Sequence, residues 1–374
     1  DGDLAPLKLP DRTPLAELPP LFDAAALHGT VAVLADGGLE GRGVGSDGLE
    51  RATSWVEQRL EAIGLTPLGD NGFRQSWGWR GGEPEREMTL ANLVALLPGS
   101  DPELADEPVV VMAHLDHLGR GWPDARTGNR GMVHPGADDN ASGVAVLLEL
   151  ARTMAGEPQR PRPLVFAVVT AEEAGRIGSR HLMKKLAVDE APFACVNLDT
   201  VGRLGAGKLY VLNADSAREW RFIFMGVGYT TGAPIAVVSE PLDSSDQVSC
   251  LEIGVPAVQL FGGPNEDYHR PSDTIDRIDA AGMAVVAEAA HAAVGYLAER
   301  IEPLTVTISS DAPPLARPGP ETERRASLGT MPDFSHSGPG VRVQQVMPGS
   351  AAEAAGIIAG DIVIALDEQE VTDL

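Results

Sequence analysis

Two adjacent aspartates, Asp138 and Asp139, stand in the stretch VHPGADDNASGVAV (Val133 to Val146), between a glycine and the start of an apolar, helix-like run. Starting a helix would use only one of them, because Asp and Asn are good N-caps and their charge suits the positive end of the helix. The second needs its own reason, and residues elsewhere in the chain supply it. VVVMAHLDH reaches His114 and Asp116, FAVVTAEEAG reaches Glu172 and Glu173, CVNLDTVG reaches Asp199, and DYHRPSD offers His269. Carboxylates brought together at one sheet edge repel one another, and their pKa values rise unless cations neutralise them. Two imidazoles among several carboxylates form a borderline-to-hard donor set suited to zinc, with cobalt or manganese also compatible. One carboxylate bridging two ions, each completed by an imidazole and a further carboxylate, would give a two-metal site with the ions roughly 3.5–4 Å apart. One aspartate of the pair is then the bridge, and its neighbours shape the turn and cap the helix.

These side chains need strands to carry them. ANLVALL from Ala91, PVVVMA from Pro108, PLVFAVV from Pro163, FACVNL from Phe193, LYVL from Leu209 and PAVQLF from Pro256 are short β-rich runs. Helical patterns cover Ser46 to Leu65, capped by Ser46 or Asp47, and also Gly143 to Met154 and Ala280 to Glu299. Near-continuous apolar strands alternating with helices predict an α/β fold with a mostly parallel mixed sheet covered by helices on both faces. Ligands of such sheets bind at the carboxyl ends of the strands. Composition changes after Ile301. Residues 303–325, including SSDAPPLARPGPETERR, read as a Pro-rich, extended linker. Beyond it, residues 326–374 resemble a PDZ domain through Gly340 to Val346, the PGSAAEAAG helix and the AGDIVIAL strand, and the module is expected to be truncated at Leu374.

The 374 residues, 43% of them apolar, suggest two or more domains and a sizeable core. With 29 basic against 54 acidic residues, the net charge of -25 repels nucleic acid and anionic membrane surfaces. The acidity reads mainly as a solvated surface. No apolar run approaches the roughly 20 residues that span a bilayer. The start, DGDLAPLKLP, lacks both Met and a signal-like core, so the sequence is expected to begin inside a longer precursor. Cys195 and Cys250 form one disulfide or none, and Cys195, within FACVNLD, reads as a small buried hydrophobe. The glycines of GRGVGSDG read as loop turns and not as a phosphate loop, lacking a preceding strand and a following Lys.

On the motifs HLDHLG, PGADDNASG, AEEAGRIGS, NLDTVG and DYHRPSDT, taken in this order, residues 30–302 resemble the zinc-dependent exopeptidases. That family includes bacterial dizinc aminopeptidases, glutamate carboxypeptidases and glutaminyl cyclases. The early LADGGLEGRGVGSDG resembles its N-terminal segment, which extends the expected peptidase domain over residues 1–302. The resemblance implies two zinc ions, one held by His114, Asp139 and Asp199 and the other by Asp139, Glu173 and His269. Asp139 is the bridge because it takes the fourth position of the G-x-x-D turn, and a cis peptide to Asn140 is implied. Asp116 matches the residue that orients the first imidazole through its second nitrogen. Glu172 matches the general base that takes a proton from the attacking water and passes it to the leaving amine. Tyr268 matches an oxyanion-stabilising position of some relatives. Gln247 departs from the family, which often has His there, and puts details of the substrate pocket in doubt. No large inserted lid fits between Leu65 and Pro108, so the likeness is to the compact bacterial aminopeptidases. His117 and His134 lie near the same loop and are candidates for substrate or supporting roles. His28, His181, His291 and His336 default to structural or solvated positions.

The expected function is a dizinc aminopeptidase acting on the N-terminus of peptides or proteins, with surplus acidic groups binding the substrate's α-ammonium. A carboxypeptidase or dipeptidase would instead need a cation for the substrate carboxylate, and Arg203, Arg270 and Lys208 lie near the motifs. A glutaminyl cyclase fits less well, given the complete ligand set and the AEEAG pair. A non-catalytic protein that binds a peptide through its PDZ-like tail by strand addition is the alternative of another class. A periplasmic or secreted location is expected by analogy with relatives.

Overall fold

The computed structural model describes residues 20–125, 128–186, 191–308, 328–333, 336, 338–346, 349–367 and 369–371. The expected linker falls outside these residues from position 309 to its end. The helices are α1 (Ala24–Leu34), α2 (Asp47–Ile63), α3 (Gly143–Ala155), α4 (Ile177–Leu186), α5 (Trp220–Thr231), α6 (Gln247–Leu251) and α7 (Ala280–Glu299). The caps follow the sequence. The Ser46 hydroxyl accepts from Leu49 N, and Gly64, at φ +85°, closes α2 in the left-handed conformation. Leu49, Ala52, Val56 and Leu60 form the buried stripe between them.

The strands are β1 (Thr66–Pro67), β2 (Arg74–Gly81), β3 (Arg86–Leu97), β4 (Val109–His114), β5 (Leu164–Val169), β6 (Ala194–Leu198), β7 (Leu209–Leu212), β8 (Ile235–Val237) and β9 (Ala257–Phe261). They form one mixed sheet in the order β1-β3-β5-β4-β6-β9-β7-β8, with β2 also paired to β3. The central β5, β4, β6 and β9 are parallel, while β3 and β7 join them antiparallel. Alternate residues face opposite layers. Val109, Val111 and Ala113 pack with α1, α3 and α7, whereas Val110 and Met112 pack with Leu182 and Met183 of α4. Burial on both faces explains why the strands read as unbroken apolar runs. From β4 the chain runs through α3 to β5, then returns past β4 through α4 to β6. This reversal opens a crevice at the carboxyl end of β4.

Two readings are corrected. Cys195 is buried as expected but is bonded to Cys250, tying β6 to α6. Helix α7, 20 residues long with a mean hydropathy of 1.3, is long and apolar enough to cross a membrane. Its alanine-rich surface packs against α1, α3 and α5, as a core helix does. The hairpin partner β2, RQSWGWRG, went unread because its polar and glycine positions leave one half-exposed edge rather than an apolar run.

The C-terminal unit has β10 (Thr330–Pro332), β11 (Val341–Val346), α8 (Ala351–Ala354) and β12 (Ile362–Val363), with β11 antiparallel to both other strands. Ser350 caps α8 by accepting from Glu353 N. A two-residue ladder joins Ala365–Leu366 to Gln369–Glu370.

Candidate metal centre

His114 is the last residue of β4 and is buried. Its Nε2 lies 3.3 Å from Asp139 Oδ1 and 3.5 Å from Asp199 Oδ1. His269 Nε2 lies 3.2 Å from Asp139 Oδ2 and 3.2 Å from Glu173 Oε2. The structure therefore brings together two triads that share Asp139, one through each carboxylate oxygen. These spacings test the fit to zinc. Tetrahedral bonds of about 2.0–2.1 Å give ligand-to-ligand edges of about 3.3–3.4 Å, whereas a charge-assisted hydrogen bond would close to about 2.7–2.9 Å. The four distances lie within about 0.1 Å of these edges.

A third imidazole stands close by. His117 Nδ1 is 2.8 Å from Glu173 Oε1 and 3.8 Å from Asp139 Oδ2, so His117, Asp139 and Glu173 also cluster closely enough to hold an ion. The shorter distance is that of a hydrogen bond. His117 thus donates to one oxygen of Glu173 and leaves the other facing His269. His134, also buried, donates through Nδ1 to Met132 O (3.0 Å) and faces no ligand carboxylate by hydrogen bond.

The acidic pair has a division of labour. Asp139 faces the imidazoles, whereas the Asp138 carboxylate accepts from Gly202 N (2.6 Å) and Asn265 Nδ2 (3.0 Å). Asp138 thereby ties this turn to the loop after Asp199. Its own N–H and that of Asp139 donate to the buried carboxylate of Asp273 at 3.0 and 3.1 Å. Capping of α3 falls to Asn140, whose Oδ1 accepts from Gly143 N (3.0 Å) and Thr200 N (3.2 Å) and whose Nδ2 donates to Leu198 O (2.9 Å). The Asp139–Asn140 peptide is cis.

Asp116 departs in detail from its expected part. His114 Nδ1 donates to the backbone carbonyl of Asp116 at 3.0 Å, while the carboxylate stands 3.9 Å away. That carboxylate accepts instead from Glu172 N (3.2 Å) and Glu173 N (3.3 Å), fixing the backbone of the acidic pair after β5. Asp124 Oδ2, 3.2 Å from His269 Nδ1, orients the other imidazole. The Tyr268 ring stacks on that of His269, with centroids 3.9 Å apart.

The electrostatics call for positive charge. Burial opposes charge on His114, yet Asp199 and Asp139 overcome it and hold the imidazole's pKa well above its ordinary value. His269 is raised likewise against burial by its neighbours, Glu173 and Asp139 among them. Burial is overcome in the other direction at Glu173, which His269 and His117 lower to about 2, and at Asp139, held well below the usual carboxylate range chiefly by His117 and His114. Burial pushes Glu172 well above that range, with Asp246, Glu173 and Asp199 adding to the effect. Asp116 is raised to about 7, again by burial first.

Other candidates find different uses. Gln247 is buried in a polar network, donating to Asn213 Oδ1 and Ser244 Oγ at 2.9 Å each and accepting from Asn197 Nδ2 at 3.1 Å. Arg203 is engaged by Asp267 (2.5 Å) and Asn265 (3.1 Å), and Lys208 is exposed. His181 stacks on Trp77, and His291 pairs with Glu157. A cleft of about 430 Å³ lined by the β2–β3 turn, the segment Glu40 to Ser46, Leu118 to Trp122 and Arg130 contains none of the two triads and not Glu172. Sequence reasoning missed Asp124, Asp273 and Arg42. Asp273 lay inside the quoted DYHRPSD, and Arg42 between glycines in GRGVGSDG.

A parallel sheet presenting this donor set at its carboxyl edge defines a metallopeptidase-type α/β domain. The model described as peptidase family M28 matches residues 92–294, and the chain belongs to that family. A PDZ domain matches residues 321–374. A "Probable leucine aminopeptidase" of Arthroderma otae is 28% identical over 266 residues, covering 67% of this chain and 66% of the relative. Aminopeptidase YwaD of Bacillus subtilis is 34% identical over 159 residues, 38% of this chain and 34% of the relative. The chain thus spans just under two thirds, or less, of these curated relatives. The aminopeptidase of Aneurinibacillus sp. strain AM-1 shares the fold with a TM-score of 0.63 at 19% identity, over 77% of this chain and 96% of that one.

Proposed function

We propose that this protein is a zinc aminopeptidase that removes N-terminal residues from peptides. The observation that carries the reading is the pair of imidazole–carboxylate triads at zinc-like edge lengths, sharing Asp139. His114, Asp139 and Asp199 would hold one ion, and Asp139, Glu173 and His269 a second. Zinc, when bound, supplies Lewis acidity that polarises a carbonyl and acidifies water to a pKa near 7.

The protein's own groups do the rest. Glu172 takes a proton from the attacking water and delivers it to the leaving amine. Asp116, gripping the N–H groups of Glu172 and Glu173, keeps base and ligand in fixed relation. His117 and Asp124 orient Glu173 and His269. Tyr268, stacked on His269, is the candidate donor to the oxyanion. Carboxylates exceed cations around the site, which favours a substrate ammonium. Arg203 is already neutralised by Asp267, which weakens the carboxypeptidase reading. Two relatives bear aminopeptidase names, in agreement.

The PDZ unit would bind a peptide, by strand addition as such domains do. The Cys195–Cys250 disulfide favours an oxidising compartment and supports export to the periplasm or beyond the cell. The test is hydrolysis of aminoacyl-p-nitroanilides, beginning with leucine, beside N-blocked and C-terminal-reporter peptides. The protein is assayed for zinc, stripped and reloaded. Zinc-dependent cleavage that requires a free amine is expected. Cleavage of C-terminal reporters alone would refute the aminopeptidase assignment.

A further inference from the structure

Arg42 sits between Gly41 and Gly43 with φ +49°, a backbone region where glycine is at home and a long L side chain is uncommon. That conformation persists where the surroundings over-determine it, and at Arg42 they do. The side chain is fully buried, and its guanidinium donates to four backbone carbonyls: Nε to Leu115 (2.7 Å), Nη1 to Leu34 (2.5 Å) and Pro135 (2.8 Å), and Nη2 to Gly136 (2.9 Å). Leu115 lies between His114 and Asp116. Pro135 and Gly136 lead directly into Asp138 and Asp139. The Arg42 carbonyl in turn accepts from His117 N at 3.2 Å. One residue therefore joins the strand end bearing the first imidazole, the turn bearing the shared carboxylate and the histidine that orients Glu173.

We propose that Arg42 is a positioning residue that sets the separation of the β4 end bearing His114 and the turn bearing Asp139, and through it zinc affinity and turnover. The proposal rests on the zinc-peptidase reading above. Its physical logic lies in tolerance. Metal–ligand distances must hold within about 0.2 Å, and while the β4–β5 ladder fixes His114, the turn bearing Asp139 lies outside the sheet and needs a tie to it. A planar, rigid fork with five donors can measure that gap. Among the described residues, only carbonyls bond to this buried cation. A bare tie between loops would not need to carry a full charge inside the protein, since neutral donors could make the same bonds at less desolvation cost. Burial works against that charge, and the neighbouring carboxylates of Asp139, Asp273, Asp116 and Glu173 favour it.

The experiment uses the full chain with Arg42→Gly, which suits the backbone and removes only the fork, and Arg42→Lys, which keeps the charge without the planar geometry. Zinc affinity is read by competition with a chromophoric chelator, alongside circular dichroism, the thermal midpoint of the metal-free protein, kcat and KM. A folded Arg42→Gly protein is expected to bind zinc about 10–100-fold more weakly, the loss usual when supports of metal ligands are removed. Its kcat should fall about 100-fold, with KM within threefold. Arg42→Lys should recover part of both. Folded variants with wild-type zinc affinity and kcat, differing only in thermal midpoint, would overturn the proposal. So would failure of both variants to fold in saturating zinc, which would assign Arg42 to the fold as a whole. Wild-type protein that bound no zinc would instead sink the zinc-peptidase reading, a distinct result.

Discussion

Glu172 and Glu173 are neighbours with opposite assignments, so the same isosteric change at each should have different consequences. Glu173 uses both oxygens as acceptors, Oε1 toward His117 Nδ1 at 2.8 Å and Oε2 toward the His269 side at 3.2 Å. An amide has one acceptor oxygen. In Glu173→Gln, the NH2 group must face either the His117 N–H or the metal, and one interaction is lost whichever way it turns. The expected loss of zinc affinity is about 10–100-fold, or about 1.4–2.7 kcal/mol. Glu172 belongs to neither triad, and Asp116 holds it through its backbone N–H, which Gln retains. Glu172→Gln should therefore keep wild-type zinc content while removing the general base, worth about 10²–10⁴ in kcat, or about 3–5 kcal/mol. The assay pairs chelator competition with p-nitroanilide hydrolysis at saturating zinc. Equal zinc loss in the two variants, or a Glu172→Gln enzyme within tenfold of wild-type turnover, would refute the division of roles.

Metal-free protein should become less stable as pH rises from 6 to 8. The raised imidazoles of His114 and His269 stabilise the fold fully below about pH 6.5, and that stability is lost as pH rises through their folded-state values. The depressed carboxyls Asp139 and Glu173 contribute fully above about pH 4 and lose that contribution as pH falls through their folded-state values, so they do not compensate in this window. Thermal midpoints at both pH values, with and without zinc, check this. A metal-free midpoint that is flat or rising, or a zinc increment that shrinks with pH, contradicts it. Replacing both Cys195 and Cys250 with Ala opens a loop of sequence separation 55 and should cost about 4 kcal/mol in urea unfolding, where a loss below about 1 kcal/mol would count against the chain-entropy account. Asp273→Asn sets an amide where the Asp138 and Asp139 N–H groups need acceptors. At least one charge-assisted bond is lost, about 1.5–3 kcal/mol by urea unfolding, together with weaker zinc binding by chelator competition. Unchanged stability and zinc affinity would remove Asp273 from the support of the turn.

The sequence by itself determined the layered α/β architecture and the histidines and carboxylates from which the two triads are drawn. A buried parallel strand is an unbroken apolar run, so its end is legible, and a histidine or carboxylate placed there stands out against it. Parallelism then brings those ends to one edge, as β4, β5, β6 and β9 do. The helix limits were legible for the same local reasons, through Ser46 before α2 and the apolar spacing of α7. Tertiary structure decided what local pattern cannot encode. Only the assembled fold brings two imidazoles, His117 at 2.8 Å and His269 at 3.2 Å, to the oxygens of Glu173. The bonding of Asp138 to Gly202 crosses 64 residues, that of Arg42 to Gly136 crosses 94, and the Cys195–Cys250 bond crosses 55. A polar side chain carries its donors and acceptors in its type, but packing brings its partner from elsewhere in the chain. Which carbonyl, amide or thiol completes it is therefore fixed only when the sheet and its loops have assembled.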